Sequence, residues 1–429
     1  MSDDGLGLGL LDPAAPRPRV LWVSFHRTAR YEEVTALLRC GAEVIPTSGT
    51  SAEFPNALEP SEDRDPLAPP WRASCSVPAD VLELIRPFAQ YQRPEQLPQA
   101  VIEALNRWID VIWVGTYSRS VVELLRRFRG GVVLRAYGGY PYSASLGRWP
   151  ARTRALDLLA TTERYAFCPA LPYQATVEDV RLTRNETFLP ACVTPARLPH
   201  RWAGRDSEAM ACEVISLIGR YRRQEYARFT ASFGDLPVRI LGQNPPGGED
   251  GRDPRIVGTL DDEPFYGAIA RSRLMIYAGL GSRHHLHYHP LEAVTMGVPV
   301  VLFRSSALAQ MALHLGASDQ ALRLAGMCDS TEEARALAQR MLAHVEEALA
   351  ISHRQDIFRR IFGPARWDRV LGALLLRLAA PGAVRRSLPE ERHEERPFGS
   401  PIDGSAARSV ARSVARGVGR RLRRMRSPR

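Results

Sequence analysis

The sequence predicts an α/β protein: two Rossmann-like domains facing a cleft, followed by C-terminal helices and a basic tail. Three observations carry this reading. The chain has 429 residues, which at roughly 100–200 residues per domain makes two domains plus extras. Short apolar runs of strand length alternate with helix-spaced segments, the rhythm of βαβ units on a parallel sheet. Those runs are apolar throughout rather than alternating, as in strands covered on both faces. An apolar fraction of 45% and a charged fraction of 24% exclude global disorder.

The first series opens with a strand over Val20–Phe25 (VLWVSF) and a helix over Arg30–Cys40. A second strand follows over Ala42–Pro46, then a long Pro-, Ser- and acid-rich loop over residues 47–78. A helix over Leu97–Ile109 precedes a strand over Val111–Tyr117 (VIWVGTY), a helix over Val121–Phe128 and a strand over Val132–Tyr137. After a loop over Thr194–Ser207, the second series begins with a strand over Glu213–Gly219 and a helix over Arg222–Phe233. Strands over Val238–Leu241 and Ile256–Leu260 flank a Gly/Pro-rich loop, Asn244–Pro254. Acids open the helix Asp261–Ser272, where they suit the positive end of its dipole. A strand over Leu274–Ala278, a helix over Pro290–Met296 and a strand over Val298–Phe303 complete the series; Pro at that helix's start and Gly297 after its end follow the usual asymmetry. Ser330 and Glu333 form a capping box for a helix running toward His353, and more helix covers Ala365–Ala379. The expected division is a disordered N-terminus over 1–18, an N-terminal domain over 19–200, a C-terminal domain over 208–330, helices over 331–380, and a linker and basic tail over 381–429.

Charge and cysteines narrow the function classes. All 57 basic residues are arginine; arginine, alanine, glycine and proline all have GC-rich codons, so the bias reads as genomic. The net charge is +10, but residues 401–429 hold nine arginines against one aspartate, leaving about +2 for the rest. The body therefore shows no basic stripe of a nucleic-acid-binding domain, and no nucleic-acid partner is expected. The six cysteines include no CxxC pair, which argues against a zinc ribbon, a thioredoxin-type site or a disulfide scaffold and leaves buried, reduced thiols. The acidic start lacks the basic region of a secretory signal. Val370–Ala380 is too short, and with Arg377 too polar, to span a bilayer. A cytoplasmic location is expected. In the tail, Arg408, Arg412, Arg416 and Arg420 fall on one helical face, and Val410, Val414, Val418 and Leu422 on the other. Two readings stay open: a basic amphipathic helix over 406–426 lying peripherally on the anionic inner face of a membrane, or a disordered tail, since Ser, Val and Gly form helix weakly alone.

The most informative stretch is Tyr277–Phe303, YAGLGSRHHLHYHPLEAVTMGVPVVLF. The chain leaves a strand, makes a Gly-rich turn, passes a histidine-rich loop, enters a helix at Pro290 and returns as a strand. Free N–H groups at such a helix start cradle phosphate, and Glu292 in the first turn suits a ribose diol. In outline this is a nucleotide-diphosphate site. The pattern Pro290-x-Glu292-Ala293-x-x-x-Gly297-x-Pro299-Val300 resembles the donor-binding signature of GT-B glycosyltransferases, especially the retaining family 4-like group. The resemblance covers about residues 213–305; the N-terminal half matches in strand–helix rhythm only.

What the resemblance implies is a transferase using a nucleotide-diphosphate sugar, with no cofactor and no active-site metal. It assigns ribose binding to Glu292. Leu217-Ile218-Gly219-Arg220 is similar to the family's Val-Gly-Arg strand end, which gives Arg220 the departing diphosphate. The Ile256–Asp262 segment resembles the turn bordering the base, placing Leu260 there. His289, Pro290 and Leu291 join the donor side. The family's second glutamate, eight positions before the ribose one, is replaced by His284, and the lysine five positions after the arginine by Glu225; Arg222 or Arg223 supplies the cation instead. The first strand lacks the common Gly-Gly loop and runs into His26 and Arg27. Candidate catalytic residues are thus Arg220, His284 and His26; donor residues also include Gly219 and Arg223; and Arg27, Arg135 and Tyr137 stand on the acceptor side. His284, His285, His287 and His289 do not have zinc-site spacing, and no nearby acid or cysteine completes a set. The expected acceptor is a glycan or lipid-linked sugar of cell-envelope polysaccharide or glycolipid synthesis. Two alternatives are a sugar-nucleotide epimerase of similar fold and a GT-B domain that binds nucleotide or glycan without turnover.

Overall fold

The computed structural model describes residues 17–24, 27–48, 75–85, 97–115, 124–138, 142–143, 152–216, 223–248, 251–278 and 287–379. The first domain runs β1 (Arg19–Ser24), α1 (Arg27–Arg39), β2 (Glu43–Ser48), α2 (Ala79–Ile85), α3 (Gln99–Trp108), β3 (Val111–Gly115), β4 (Gly131–Ala136), α4 (Arg152–Thr161), β5 (Tyr165–Pro169), α5 (Gln174–Val177) and α6 (Val180–Thr183). Its five strands are parallel in the order β2-β1-β3-β4-β5. Every residue of β3, β4 and β5 is buried, as two-sided coverage of apolar runs requires. The strand order reverses between β1 and β3, where Ser24 and Gly115 end side by side. A Cβ on Gly115 would lie 2.5 Å from the Ser24 hydroxyl, so only glycine fits there.

The second domain contains β6 (Glu208–Val214), α7 (Arg223–Phe233), β7 (Val238–Leu241), β8 (Ile256–Gly258), α8 (Asp262–Arg271), β9 (Ser272–Tyr277), α9 (His289–Met296), β10 (Val300–Phe303), α10 (Ala307–His314), α11 (Asp319–Leu324) and β11 (Met327–Cys328). Its six parallel strands lie in the order β11-β10-β9-β6-β7-β8. Counted from β6, this is the doubly wound Rossmann order, with its switch point between β6 and β9.

Helices α12 (Thr331–Ala343), α13 (Val345–Arg354), α14 (Asp356–Ile361) and α15 (Pro364–Ala379) end the described chain. They do not form one segment. Ala334, Ala338, Met341 and Ile351 of α12 and α13 pack on the second domain. Helix α15 returns to the first: Trp367, Leu371, Leu374, Leu375 and Leu378 join Val20, Trp22, Val44, Trp113 and Val133 in one cluster. Asp368 anchors it, accepting two 2.8 Å hydrogen bonds from Arg39.

Most expected elements recur with bounds moved by one to three residues. Three differences stand out. Strand β5 is not predicted by the sequence pattern. Strand β6 begins five residues before the expected Glu213, because its first half, Glu208–Met210, is only partly covered and shows no apolar run. The expected helix from Ser330 toward His353 is interrupted at His344, whose extended backbone separates α12 from α13. The Ser330 half of the capping box is present, its hydroxyl accepting from the Glu333 N–H at 3.1 Å, while the Glu333 carboxylate accepts from the Asp329 N–H at 2.8 Å. The expected 47–78 loop lies almost wholly outside the described residues, as do residues 1–16 and 380–429. Cys40, Cys168, Cys192, Cys212 and Cys328 are free and buried, and Cys75 is free and partly buried. No described helix is long and apolar enough to cross a membrane.

Candidate functional site

In a doubly wound sheet, ligands sit beyond the carboxyl ends of the strands at the switch point. In the second domain those ends are Val214 of β6 and Tyr277 of β9, and the connection after β9 leads into α9. Pro290 lies at the start of α9, where its missing N–H costs nothing. Gly297 ends the helix at φ 101°, the left-handed conformation that glycine adopts freely. The helix is therefore fixed at both ends.

Glu292, in the first turn, is 1% exposed. Its Oε1 accepts from Arg197 Nη2 at 2.5 Å and from the Tyr266 hydroxyl at 3.0 Å. Its Oε2 lies 3.3 Å from His289 Nδ1. Burial pushes this carboxyl up, but the adjacent Arg197 and His289 outweigh it and hold it down at about 2. Glu292 is thus a fully ionised carboxylate at neutral pH.

Arg197 comes from a short 3-10 turn, Pro195–Arg197, in the connection between the domains. Its Nε donates to Glu32 Oε1 at 2.7 Å and its Nη1 to the Tyr266 hydroxyl at 2.7 Å. The rings of Tyr31 and Tyr266 lie 5.9 and 5.7 Å from its guanidinium carbon. Glu32, on α1 of the first domain, also accepts from the Thr194 N–H and hydroxyl at 2.8 and 2.6 Å. Burial raises Glu32 above the ordinary range despite these partners.

The neighbouring Glu33 centres a second buried cluster. It accepts from Trp22 Nε1 and Trp113 Nε1, both at 2.9 Å, from Arg135 Nε at 2.8 Å and from the Tyr137 hydroxyl at 2.8 Å. Arg135 also donates to the carbonyls of Cys168, Leu189 and Pro190. Arg135 is 0% and Tyr137 2% exposed. Both residues, expected on the acceptor side, are thus buried within the first domain. Their polar atoms satisfy the first domain's interior, because a buried Glu33 must be met by donors. Ala29, Tyr137, Leu171 and Ala191 of the first domain pack with Tyr288, Leu291 and Val294 of the second in one apolar cluster.

A third acid, Glu213, stands at the switch point itself. Its oxygens accept from the N–H groups of Val214 and Ala278, each at 3.2 Å. Burial lifts its carboxyl to about 8, so it is protonated at neutral pH.

The other expected residues are distributed as follows. His289 is partly exposed beside Glu292, while Pro290 and Leu291 are buried behind it. Leu260 is half-buried after β8, where Gly258 takes φ 98° and an added Cβ would meet Pro246 Cγ at 2.9 Å. Arg223 is exposed at the start of α7, and Glu225 lies in that helix's first turn. Arg27 is the first residue of α1, but its side chain, like the whole of His26, Gly219, Arg220 and His284, lies outside the described residues. Among the described residues, no cluster of His, Cys, Asp or Glu is placed to hold a metal ion. The sequence reading missed Glu32, Glu33, Arg197, Tyr266 and Glu213. One signal was available for Glu33: it lies four residues from both Ala29 and Leu37 on the apolar stripe of α1, where an acid must be buried and partnered.

No protein-family model matches the chain, and no curated protein matches it. Solved structures do. A UDP-forming α,α-trehalose-phosphate synthase from Burkholderia xenovorans matches with a TM-score of 0.52 at 11% identity, over 85% of this chain and 100% of that one. Its counterpart from Burkholderia vietnamiensis gives 0.53 at 13%, over 87% and 100%. An E. coli trehalose-6-phosphate structure bound with UDP-2-fluoro glucose gives 0.53 at 12%, over 83% and 98%. The chain has the two-domain GT-B fold of these glycosyltransferases.

Proposed function

We propose that the protein is a glycosyltransferase that moves a sugar from a nucleotide-diphosphate sugar to an acceptor. One observation carries the reading: an ionised, buried carboxylate, Glu292, in the first turn of the helix entering from the switch point of the second domain. A carboxylate there accepts hydrogen bonds from a ribose diol, while the helix N-terminus favours the diphosphate. The fold supports the same reading, since one structural neighbour is described as UDP-forming and another carries UDP-2-fluoro glucose.

In this reading Glu292 takes the ribose, Leu260 borders the base, and Gly219, His289, Pro290 and Leu291 shape the donor pocket. Arg220, with Arg223 and the start of α9, stabilises the departing diphosphate. Fixed positive groups aimed at charge that develops in the transition state are the largest single source of catalysis. His284 stands against the donor sugar. His26 and Arg27, after β1 at the switch point of the first domain, face the acceptor, a glycan or lipid-linked sugar. The reaction needs no cofactor or metal in this scheme. The basic segment 406–426 would bring the enzyme to an anionic membrane surface from the cytoplasmic side. A second reading, a nucleotide-binding protein of the same fold without turnover, is favoured by His284 and Glu225 at positions where the resembling family carries Glu and Lys.

The test is a thermal-shift screen against UDP, GDP, ADP, CMP and their sugars. A ligand binding only the native state raises the melting temperature, by about 2.7 kcal/mol of stability at a hundredfold excess over Kd. One nucleotide is expected to raise it in the wild type and to fail with Glu292→Ala. No shift with any of them would contradict the reading.

A further inference from the structure

We propose that Arg197 is a positioning residue that sets Glu292 for the ribose from the first domain, through Glu32. The inference rests on the nucleotide-sugar reading of Glu292 and goes beyond it. The ribose carboxylate belongs to the second domain, but the group that orients it is held by the first. Arg197 Nε bonds Glu32 Oε1 on α1, and Arg197 Nη2 bonds Glu292 Oε1 on α9. Glu32 cannot turn freely, because its other oxygen holds the Thr194 N–H and hydroxyl. The Tyr31 and Tyr266 rings also lie close to Arg197, 5.9 and 5.7 Å from its guanidinium carbon. A planar guanidinium gripped at two nitrogens has one orientation.

The consequence for Glu292 is directional. Arg197 and Tyr266 occupy Oε1, so Oε2 is the oxygen left for a ligand. Its one partner among the described residues is His289 at 3.3 Å, a longer contact than those on Oε1, from a ring 38% exposed that can turn aside. Among the described residues, the groups facing Glu292 are Arg197 from the connection, Tyr266 from α8 and His289 from α9, with Glu32 and Tyr31 of α1 behind Arg197. Arg197 is the one permanent positive charge in this set. Without it, burial would govern Glu292 and favour its protonated form. Because α1 begins where β1 ends, at the switch point of the first domain, a shift of α1 reaches the donor carboxylate through two hydrogen-bonded groups.

The test measures the Kd of whichever nucleoside diphosphate (UDP, GDP or ADP) shifts the wild-type protein, at pH 5.5 and pH 8, for wild type, Arg197→Gln, Arg197→Lys and Glu32→Gln. Arg197→Gln is expected to weaken binding at least tenfold at pH 5.5 and several-fold less at pH 8, as the unpaired Glu292 ionises. Arg197→Lys restores the charge and is expected to bring the two pH values together again. Glu32→Gln keeps the Arg197–Glu292 pair, so it should weaken binding several-fold with much less pH dependence than Arg197→Gln. A purely structural role would weaken binding without changing its pH dependence, and that result would overturn the proposal. Binding within twofold of wild type in all three variants would overturn it too. If Arg197→Gln does not fold, the Lys and Glu32→Gln variants decide: wild-type affinity in both contradicts the proposal. If wild type binds none of the three diphosphates, the functional reading fails first and the proposal with it; if wild type binds and the variants match it, the proposal alone fails.

Discussion

Two adjacent acids on α1, Glu32 and Glu33, show how much one side chain decides. Glu33 meets Arg135 with neither side chain exposed. Removing one partner of such a pair leaves a buried charge, at a cost of about 3–5 kcal/mol. Arg135→Ala is therefore expected to lower the denaturation midpoint steeply, as urea unfolding followed by fluorescence would show, without altering nucleotide affinity in the protein that remains folded. Glu213 gives a pH prediction. A carboxyl held near 8 in the folded state, against 4.5 ordinarily, keeps a proton that the unfolded chain releases. Its contribution to stability therefore falls as pH rises from about 4.5 to about 8. Glu292 runs the other way: held at about 2, it adds stability above 4.5 that is lost as pH falls toward 2. Glu213→Gln should flatten the decline in melting temperature between pH 5 and pH 8; an unchanged slope would refute the assignment. At this scale the sequence was only partly legible. Glu292 is marked by the motif around it, whereas Arg197 sits in a connection without periodicity and meets Glu292 only because the chain folds back across 95 residues.

Helix α9 and its neighbours were the most legible elements. Pro290 and Gly297 delimit α9 in the sequence, and both boundary signals are present in the structure. A Cβ at Gly297 would meet Trp202 Cβ at 3.5 Å, an ordinary contact, so the demand for glycine is conformational. Gly297→Ala should cost roughly 1–2 kcal/mol, the penalty of left-handed backbone for a residue with a Cβ. The melting temperature of that variant checks it, and nucleotide affinity should change little, since the groups proposed to bind it stand at the other end of the helix. Strands β3 and β10 announce themselves as apolar runs, and β4 and β7 do so despite an arginine in each, Arg135 buried and Arg239 partly exposed. Strand β6 does not, because its first three residues are partly covered. Strand β5 does not stand out either, as five apolar residues ending in Pro169 carry no distinguishing period.

For the whole molecule, the sequence pattern implied two Rossmann-like domains, and the two parallel sheets bear that out. It did not reveal that the last described helix leaves the second domain and completes the core of the first, because an apolar stripe on α15 does not say which sheet it will cover. Trp367 is 2% exposed, and its Nε1 donates to the Pro190 carbonyl at 2.6 Å. Ending the chain after Gly363 should expose β1, β3 and β4 and give an insoluble or dye-binding product. The site groups likewise come from both domains: Glu32 from the first, Glu292 from the second, and Arg197 from the chain between them. The central claim is that this constellation serves sugar transfer from a nucleotide. It is tested most directly by measuring nucleoside diphosphate release from UDP-, GDP- and ADP-sugars, with and without sugar acceptors. The account predicts release from one class of donor by the wild type and none above background by Glu292→Ala. No release from any donor by well-folded protein, or equal release by both proteins, would contradict it.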